Sequence, residues 1–473
     1  MLYIVYMNKL HYLVLGLALS ITSANAANIV YPKTKSATIT SPTTFFIGNE
    51  KPKTNLKING EVVDIHKSGG FYHPVELNFG ENIFEITNSA ETQIYKIIRP
   101  NIQNTPEAYK PINYQKPIIV ETSGDSSPLR ATPYASGLNR LQSFQKGIPF
   151  SVVGEFAEFY KVQLARDDYA WIAKSKVKKS TLQYNPQVKI LDKYYTDNEF
   201  EQVFTFELSR KTPFTFDPVT IYETNEKMDK FHERIKNYQL TIFNVEGFPE
   251  GKFEFIIDKT TAPFGYKTYY KNNNLIIKIK KAPTIDKKSP LKGIKIMIDA
   301  GHGGYESGAV GCLGNKEKDT NLEFANKLKK HLQKAGAIVI MSRVGDTPLG
   351  LSERVLAAQQ NNVDIFLSIH NNALPDSAAK SNRLGSSTYY YNLHSHKLAE
   401  NIQEKLVNEL GMNNDKVRRE SFAVIRNPQT IAVLIEVGYV IKPEDNAKLV
   451  NPKFQEKAAI AIMHGLENYL NEL

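Results

Sequence analysis

Met297-Ile298-Asp299-Ala300-Gly301-His302-Gly303-Gly304 is an apolar strand that stops at a histidine wrapped in glycines. Together with Glu317 and the downstream run Ser368-Ile369-His370-Asn371-Asn372, it offers two imidazoles and one carboxylate. Such a set leaves a metal one coordination position for water, which is the arrangement of a hydrolytic zinc centre.

The surroundings of this stretch have the texture of an α/β domain. From Leu291 onward strand-like runs alternate with helical periods. The expected strands are Ile294 to Ile298, Ile338 to Met341, Ile365 to Ile369, Ser387 to Tyr391 and Ile431 to Ile435. Helical spacing recurs in Leu322, Ala325, Leu328 and Leu332, in Leu398, Ile402, Leu406 and Leu410, and across Ala458 to Leu470. These elements predict a mostly parallel or mixed sheet flanked by helices over 291–473. Open α/β sheets bind ligands at the carboxyl ends of their strands, and His302, His370 and Glu436 all follow such ends.

Upstream the chain is β-rich throughout. Over 28–100, short alternating runs are broken by turn signals at Asn59-Gly60, Gly69-Gly70 and Gly80-Glu81-Asn82. This pattern resembles a bacterial immunoglobulin-like sandwich. A Pro-containing connector leads to 117–180, where Pro128-Leu129-Arg130, Gly147, Val152-Val153-Gly154, Val162 and Trp171-Ile172 resemble a bacterial SH3-like barrel. Its Tyr134, Phe144, Tyr160 and Trp171 are open to two readings, a glycan or peptide groove or ordinary barrel core. A further β domain of unknown role is expected over 181–281, closed off by a polar linker over 282–290. The fold class is therefore multidomain, with β-rich N-terminal modules followed by a C-terminal α/β catalytic domain.

Length and charge bound the rest. The 473 residues with 41% hydrophobic content suit several folded units rather than a disordered or fibrous chain. At the amino end, Lys9 precedes the apolar stretch Tyr12 to Leu19 and the triplet Ala24-Asn25-Ala26, which reads as a secretory signal peptide over 1–26. Translation starts at Met1 or Met7, and a retained anchor is disfavoured by an apolar core short of the ~20 residues a span needs. The chain has a single cysteine, Cys312, so no internal disulfide is available and packing must supply stability. A formal net charge of +10 suits an acidic polymer or anionic surface. The basic residues are scattered and no nucleic-acid motif is present, so nucleic acid is not the expected partner.

Five elements then occur in a telling order: Asp299-Ala300-Gly301-His302-Gly303-Gly304; Glu317-Lys318-Asp319 with Asn321-Leu322; Ser342-Arg343 with Asp346 and Leu351 to Arg354; Ser368 to Ala373; and Leu434-Ile435-Glu436-Val437-Gly438-Tyr439. In this order the segment 291–473 resembles the zinc-dependent N-acetylmuramoyl-L-alanine amidases of the large bacterial cell-wall amidase family. The resemblance implies that His302, Glu317 and His370 bind one Zn2+ and that Glu436 is the catalytic carboxylate. It further implies hydrolysis of the lactyl-L-alanine amide of peptidoglycan, in the periplasm or cell wall, with the upstream modules acting as tethers. Another zinc amidohydrolase acting on wall components, or a non-catalytic wall-binding or activator protein, are the alternative readings.

Singly, each residue has a plainer account. His302 among glycines also suits a phosphate loop, and Glu317 suits a solvated helix start. Glu436 is the most informative, because a carboxylate ending the run Ile431 to Ile435 is costly to bury without a purpose. Asp299 and Asn372 are expected to orient the imidazoles. His394 and His396 are expected on an exposed loop, His331 and His464 on helix surfaces, and Arg426 at either the substrate or an acidic partner. Division-linked members of the family carry a blocking helical insertion after the second histidine; Ala373 to Gly385 is too short for one, which predicts an open site.

Overall fold

The computed structural model describes residues 26–101, 110–225, 230–258 and 263–473. The leader read over 1–26 lies, apart from Ala26, outside the described residues, as does 102–109 of the connector. Among the described residues, those before Leu291 are β-rich, and helices of more than one turn are confined to the C-terminal domain.

That domain is built on one mixed six-stranded sheet, and its elements are numbered here from its own start. They are β1 (Lys295–Ala300), α1 (Glu317–Lys334), β2 (Ile338–Met341), α2 (Leu351–Gln360), β3 (Ile365–Asn372), β4 (Ser386–Tyr390), α3 (His396–Leu410), β5 (Asn414–Arg419), β6 (Ile431–Tyr439), α4 (Pro443–Leu449) and α5 (Pro452–Asn471). Strand order is β2-β1-β3-β6-β4-β5. The first four are parallel, and β4 runs antiparallel to β6.

Alternation along each strand sends side chains to opposite faces. Ile296 and Ile298, Ile365, Leu367 and Ile369, and Val433 and Ile435 join Phe324, Leu328, Leu406 and Leu466 of the helices in one buried core. Met297, Phe366, Ala432 and Leu434 pack on the other face with Ala358 of α2 and Ile425.

Strands β3 and β6 run further than their apolar stretches, through Asn372 and Tyr439. His370 and Glu436 therefore sit within the strand ends rather than beyond them, because the backbone ladder keeps pairing after the side chains turn polar. The edge strand β5 was not expected: its sequence Asn-Asp-Lys-Val-Arg-Arg carries no apolar alternation.

Upstream, Lys57–Ile58 pairs antiparallel with Glu61–Val62 about Asn59 and Gly60, both at positive φ (50° and 83°), as a two-residue hairpin requires. Residues 26–99 form a three-stranded sheet (Asn28–Tyr31, Thr43–Asn49, Gly70–Glu76) and a five-stranded sheet around Phe46, Leu56, Phe71, Ile86 and Ile97. In Thr43–Asn49 the alternation is double-sided. Phe46 points into this sandwich, while Phe45 and Ile47 enter the core of the C-terminal domain. Burying two such side chains contributes roughly 1.5–3 kcal/mol each.

Seven antiparallel strands follow between Ile112 and Lys179, then a four-stranded and a three-stranded sheet as far as Lys281. One buried cluster runs through both segments, joining Leu129, Phe144 and Phe150 to Phe214, Leu240 and Ile277. The second segment also meets the C-terminal domain: Phe264 stacks on Tyr469 with ring centroids 6.3 Å apart, and the Tyr266 amide donates to the Pro428 carbonyl at 2.7 Å. No helix among the described residues is long and apolar enough to cross a membrane.

Candidate metal centre

Three side chains from three elements converge where β1 and β3 end and α1 begins. His302 Nε2 lies 3.2 Å from Glu317 Oε2, and His370 Nδ1 lies 3.0 Å from Glu317 Oε1. The two imidazoles stand edge to face, with ring centroids 4.9 Å apart. One ligand atom from each residue falls within 4.8 Å of the others, the spread of a set able to hold one metal ion.

The local sequence explains how they meet. His302 adopts φ 59°, a left-handed conformation that a non-glycine residue keeps only when its surroundings enforce it. Two buried arginines enforce it here. Arg343 donates to the carbonyls of Ala300 (2.8 Å) and Gly301 (3.0 Å). Arg354 donates to the carbonyls of Ala300 (2.9 Å) and His302 (2.8 Å).

Glycines then supply room. A Cβ on Gly301 would fall 2.2 Å from the His370 ring, and one on Gly308 would fall 2.5 Å from Glu317 Oε2.

Glu317 opens α1, and Asn321 lies one turn later on the same face. The carboxylate accepts from the amides of Ala309 (2.9 Å) and Asn371 (3.2 Å) and from Asn321 Nδ2 (3.3 Å). Burial opposes its charge, but hydrogen bonds from His302 and His370 outweigh that and hold it well below the usual carboxylate range. Burial likewise works against protonation of His302, and its bond to Glu317 carries the imidazole above its ordinary value.

Glu436 stands in register beside His370 on the neighbouring strand. Burial, reinforced by the Glu317 charge, raises its pKa well above the usual carboxylate range. Its Oε2 is buried without a hydrogen-bond partner, as are Asn371 Oδ1 and Ser387 Oγ, and Ser387 is the residue paired with Glu436 on β4. Orphaned buried oxygens gathered beside a two-imidazole, one-carboxylate set fit a site made for a cation and a polar substrate.

A family model for N-acetylmuramoyl-L-alanine amidases (Amidase_3) matches residues 296–468. The probable cell wall amidase LytH of Staphylococcus aureus is 31% identical over 223 residues, covering 47% of this chain and 72% of LytH. The chain belongs to the N-acetylmuramoyl-L-alanine amidase family. Among other relatives, YqiI of Bacillus subtilis is 38% identical over 195 residues (40% of this chain, 92% of YqiI). The N-acetylmuramoyl-L-alanine amidase LytC of the same organism is 38% identical over 182 residues, 38% of this chain but only 36% of LytC.

Elsewhere in this amidase several side chains differ from expectation. Asp299 touches neither imidazole: it binds Arg354 Nη1 at 2.5 Å and accepts from Ser368 Oγ at 2.8 Å, so it acts on the His302 loop through the arginine. Asn372 accepts from the next amide, Ala373, at 2.8 Å. His394 is buried against Tyr266, faces the Thr430 carbonyl at 3.3 Å, and has its pKa lowered to about 4 by burial. It was expected on an exposed loop because the residue covering it comes from another module.

His331 and His464 pair with Glu456 (2.7 Å) and Glu409 (2.8 Å). Arg426 donates to the Ser421 carbonyl at 2.9 Å. Phe144 lies in the buried core of its segment rather than in a groove, while Tyr134 is exposed. Burial pushes the Cys312 thiol up to about 12, which leaves it protonated and unreactive. Arg343, Arg354, Asn321 and Gly308 are the parts of the site to which sequence reading gave no role. Arg343, Arg354 and Asn321 lie within the family-like motifs, which marks the positions without giving their roles.

Proposed function

We propose that this protein is a zinc-dependent N-acetylmuramoyl-L-alanine amidase that hydrolyses the amide joining the lactyl group of peptidoglycan to L-alanine of the stem peptide. The observation that carries the reading is the convergence of His302, Glu317 and His370 beside the buried, partnerless Oε2 of Glu436. His302, Glu317 and His370 hold the metal, one per catalytic domain. Zinc in such a site supplies a Lewis acid that brings water toward a pKa of ~7 and takes up charge on the substrate carbonyl.

The remaining work belongs to the chain. Glu436 Oε2 takes the proton of the attacking water and returns it to the leaving amide nitrogen, and a carboxyl whose pKa burial and the Glu317 charge raise well above the usual range suits a group that does both. Arg343 and Arg354 fix the backbone that aims His302, and Asn321 with the Ala309 and Asn371 amides keeps Glu317 ionised and oriented. The leader over 1–26 directs export to the periplasm or cell wall. The immunoglobulin-like and SH3-like modules face the wall polymer.

Mass analysis of muropeptides released from purified sacculi tests this reading. Free muramyl carboxylates and peptides with a new L-alanine amino terminus, lost on chelation, are the expected products. Cleavage within the stem would assign a peptidase instead, and no release from zinc-loaded protein would leave a binding protein.

A further inference from the structure

Strands β1, β3 and β6 carry the site, and the connections leaving them all meet the first sheet of the chain. The connection from His302 to Glu317 forms a small hairpin, in which Val310 bridges Lys316 and the Gly311 amide donates to the Asn315 carbonyl at 2.8 Å. At its tip Cys312 is fully buried against Gly70, where a Cβ would stand 2.6 Å from its Sγ. Asn49 Nδ2 donates to the Cys312 carbonyl at 3.2 Å.

After β3, Asp376 is gripped by Tyr31 Oη (2.9 and 3.0 Å to its two oxygens) and Thr44 Oγ1 (2.6 Å), and Tyr72 Oη donates to the Ala379 carbonyl at 2.6 Å. After β6, Lys442 Nζ sits 3.7 Å from the Tyr72 ring centroid and donates to the Ser381 carbonyl.

A tether could attach anywhere on the domain surface, whereas these contacts fall on the connections that set the ligands. The hairpin is the most direct link. Its base residue, Ala309, gives its amide to Glu317 Oε2, and Ala309 and Glu317 also pair through the Glu317 amide at 2.9 Å.

We propose that the sheet Asn28–Tyr31, Thr43–Asn49, Gly70–Glu76 is a positioning element for the zinc ligands, with Gly70 as the contact that sets the hairpin and, through Ala309, Glu317. Gly70 has no positive φ, so the need for glycine there is one of space alone. A side chain at position 70 pushes Cys312, the hairpin tilts, and Glu317 loses its fixed orientation. Ligands must be held to within about 0.5 Å to work. The inference rests on reading His302, Glu317 and His370 as the metal ligands.

The test uses the full chain with Gly70→Ala, Cys312→Ala and the double variant. Zinc affinity is measured by competition with a chromophoric chelator, and kcat and KM on purified sacculi. Removing Sγ leaves the Cys312 Cβ at 3.6 Å from the new methyl, an ordinary contact.

Gly70→Ala is expected to weaken zinc about tenfold or more, within the range for groups that orient metal ligands, and to lower kcat with little change in KM. The double variant should regain the affinity and kcat of Cys312→Ala. Wild-type affinity in Gly70→Ala, or no recovery in the double variant, overturns the proposal. Should Gly70→Ala not fold, Asn49→Ala replaces it, and unchanged zinc affinity there also overturns it. Zinc-binding wild type that releases no muropeptides would instead overturn the amidase reading and leave the affinity comparison valid.

Discussion

His370 and Glu436 are register partners on adjacent parallel strands, so the spacing between a metal-facing imidazole and the group that handles the proton is fixed by the sheet itself. Side chains on rigid strands hold geometry better than side chains on loops. Glu436→Gln is expected to abolish turnover while leaving zinc content at one per chain, measured by metal analysis. Because burial and Glu317 disfavour the charged carboxylate, the folded pKa is raised above the unfolded one, and stability is lost as pH rises. The same variant should therefore raise the melting temperature of the metal-free protein at neutral pH.

Metal removal should act through His302, Glu317 and His370 alone. Chelation is expected to stop activity and lower the melting temperature, since a ligand that binds only the folded state stabilises it. His302→Ala and His370→Ala should contain no zinc and show no response to chelator. His331→Ala and His464→Ala, whose imidazoles pair with surface glutamates, should behave like wild type in metal analysis.

Arg354 joins Asp299 to the carbonyl of His302 within the domain interior. Removing one partner of a buried ion pair leaves the other uncompensated, at a cost of about 3–5 kcal/mol. Arg354→Met should lose about that much in denaturant unfolding and bind zinc more weakly. Arg354→Lys keeps the charge but not the fork that reaches several oxygens at once, and should recover only part of both.

Acid sensitivity should trace partly to His394. Its imidazole has a pKa of about 4 when folded, against about 6.5 in the unfolded chain, so the unfolded state binds the extra proton between those values. Stability therefore falls as pH drops from about 6.5 towards 4, by roughly 3 kcal/mol in the limit. In His394→Gln the difference in unfolding free energy between pH 7 and pH 4.5 should shrink; an unchanged difference would remove His394 from the account.

Much of the site was readable because its residues lie in short motifs joined to apolar strands. His302 follows Met297 to Ala300, and Glu436 follows Ile431 to Ile435, so strand and site announce each other. The roles of Arg343 and Arg354 were not, since a buried guanidinium that holds carbonyls looks in sequence like any surface cation. The docking of the first sheet was also hidden. Its one signal is the run Phe45-Phe46-Ile47, too apolar for a strand with a solvated face, but nothing near it names the partner surface. His394 failed for the same reason, its cover being Tyr266 from a different part of the chain. Contacts between distant segments leave no local period to read.

The double-sided burial of Thr43–Asn49 has a consequence for biogenesis. Thr44 and Asp376 are separated by 332 residues, which at ribosomal speed is roughly 15 to 65 seconds of synthesis. Until that stretch is made, Phe45 and Ile47 have no partner core to cover them, so a sheet formed earlier would carry one apolar side bare. This module is thus completed only once the catalytic domain is in place.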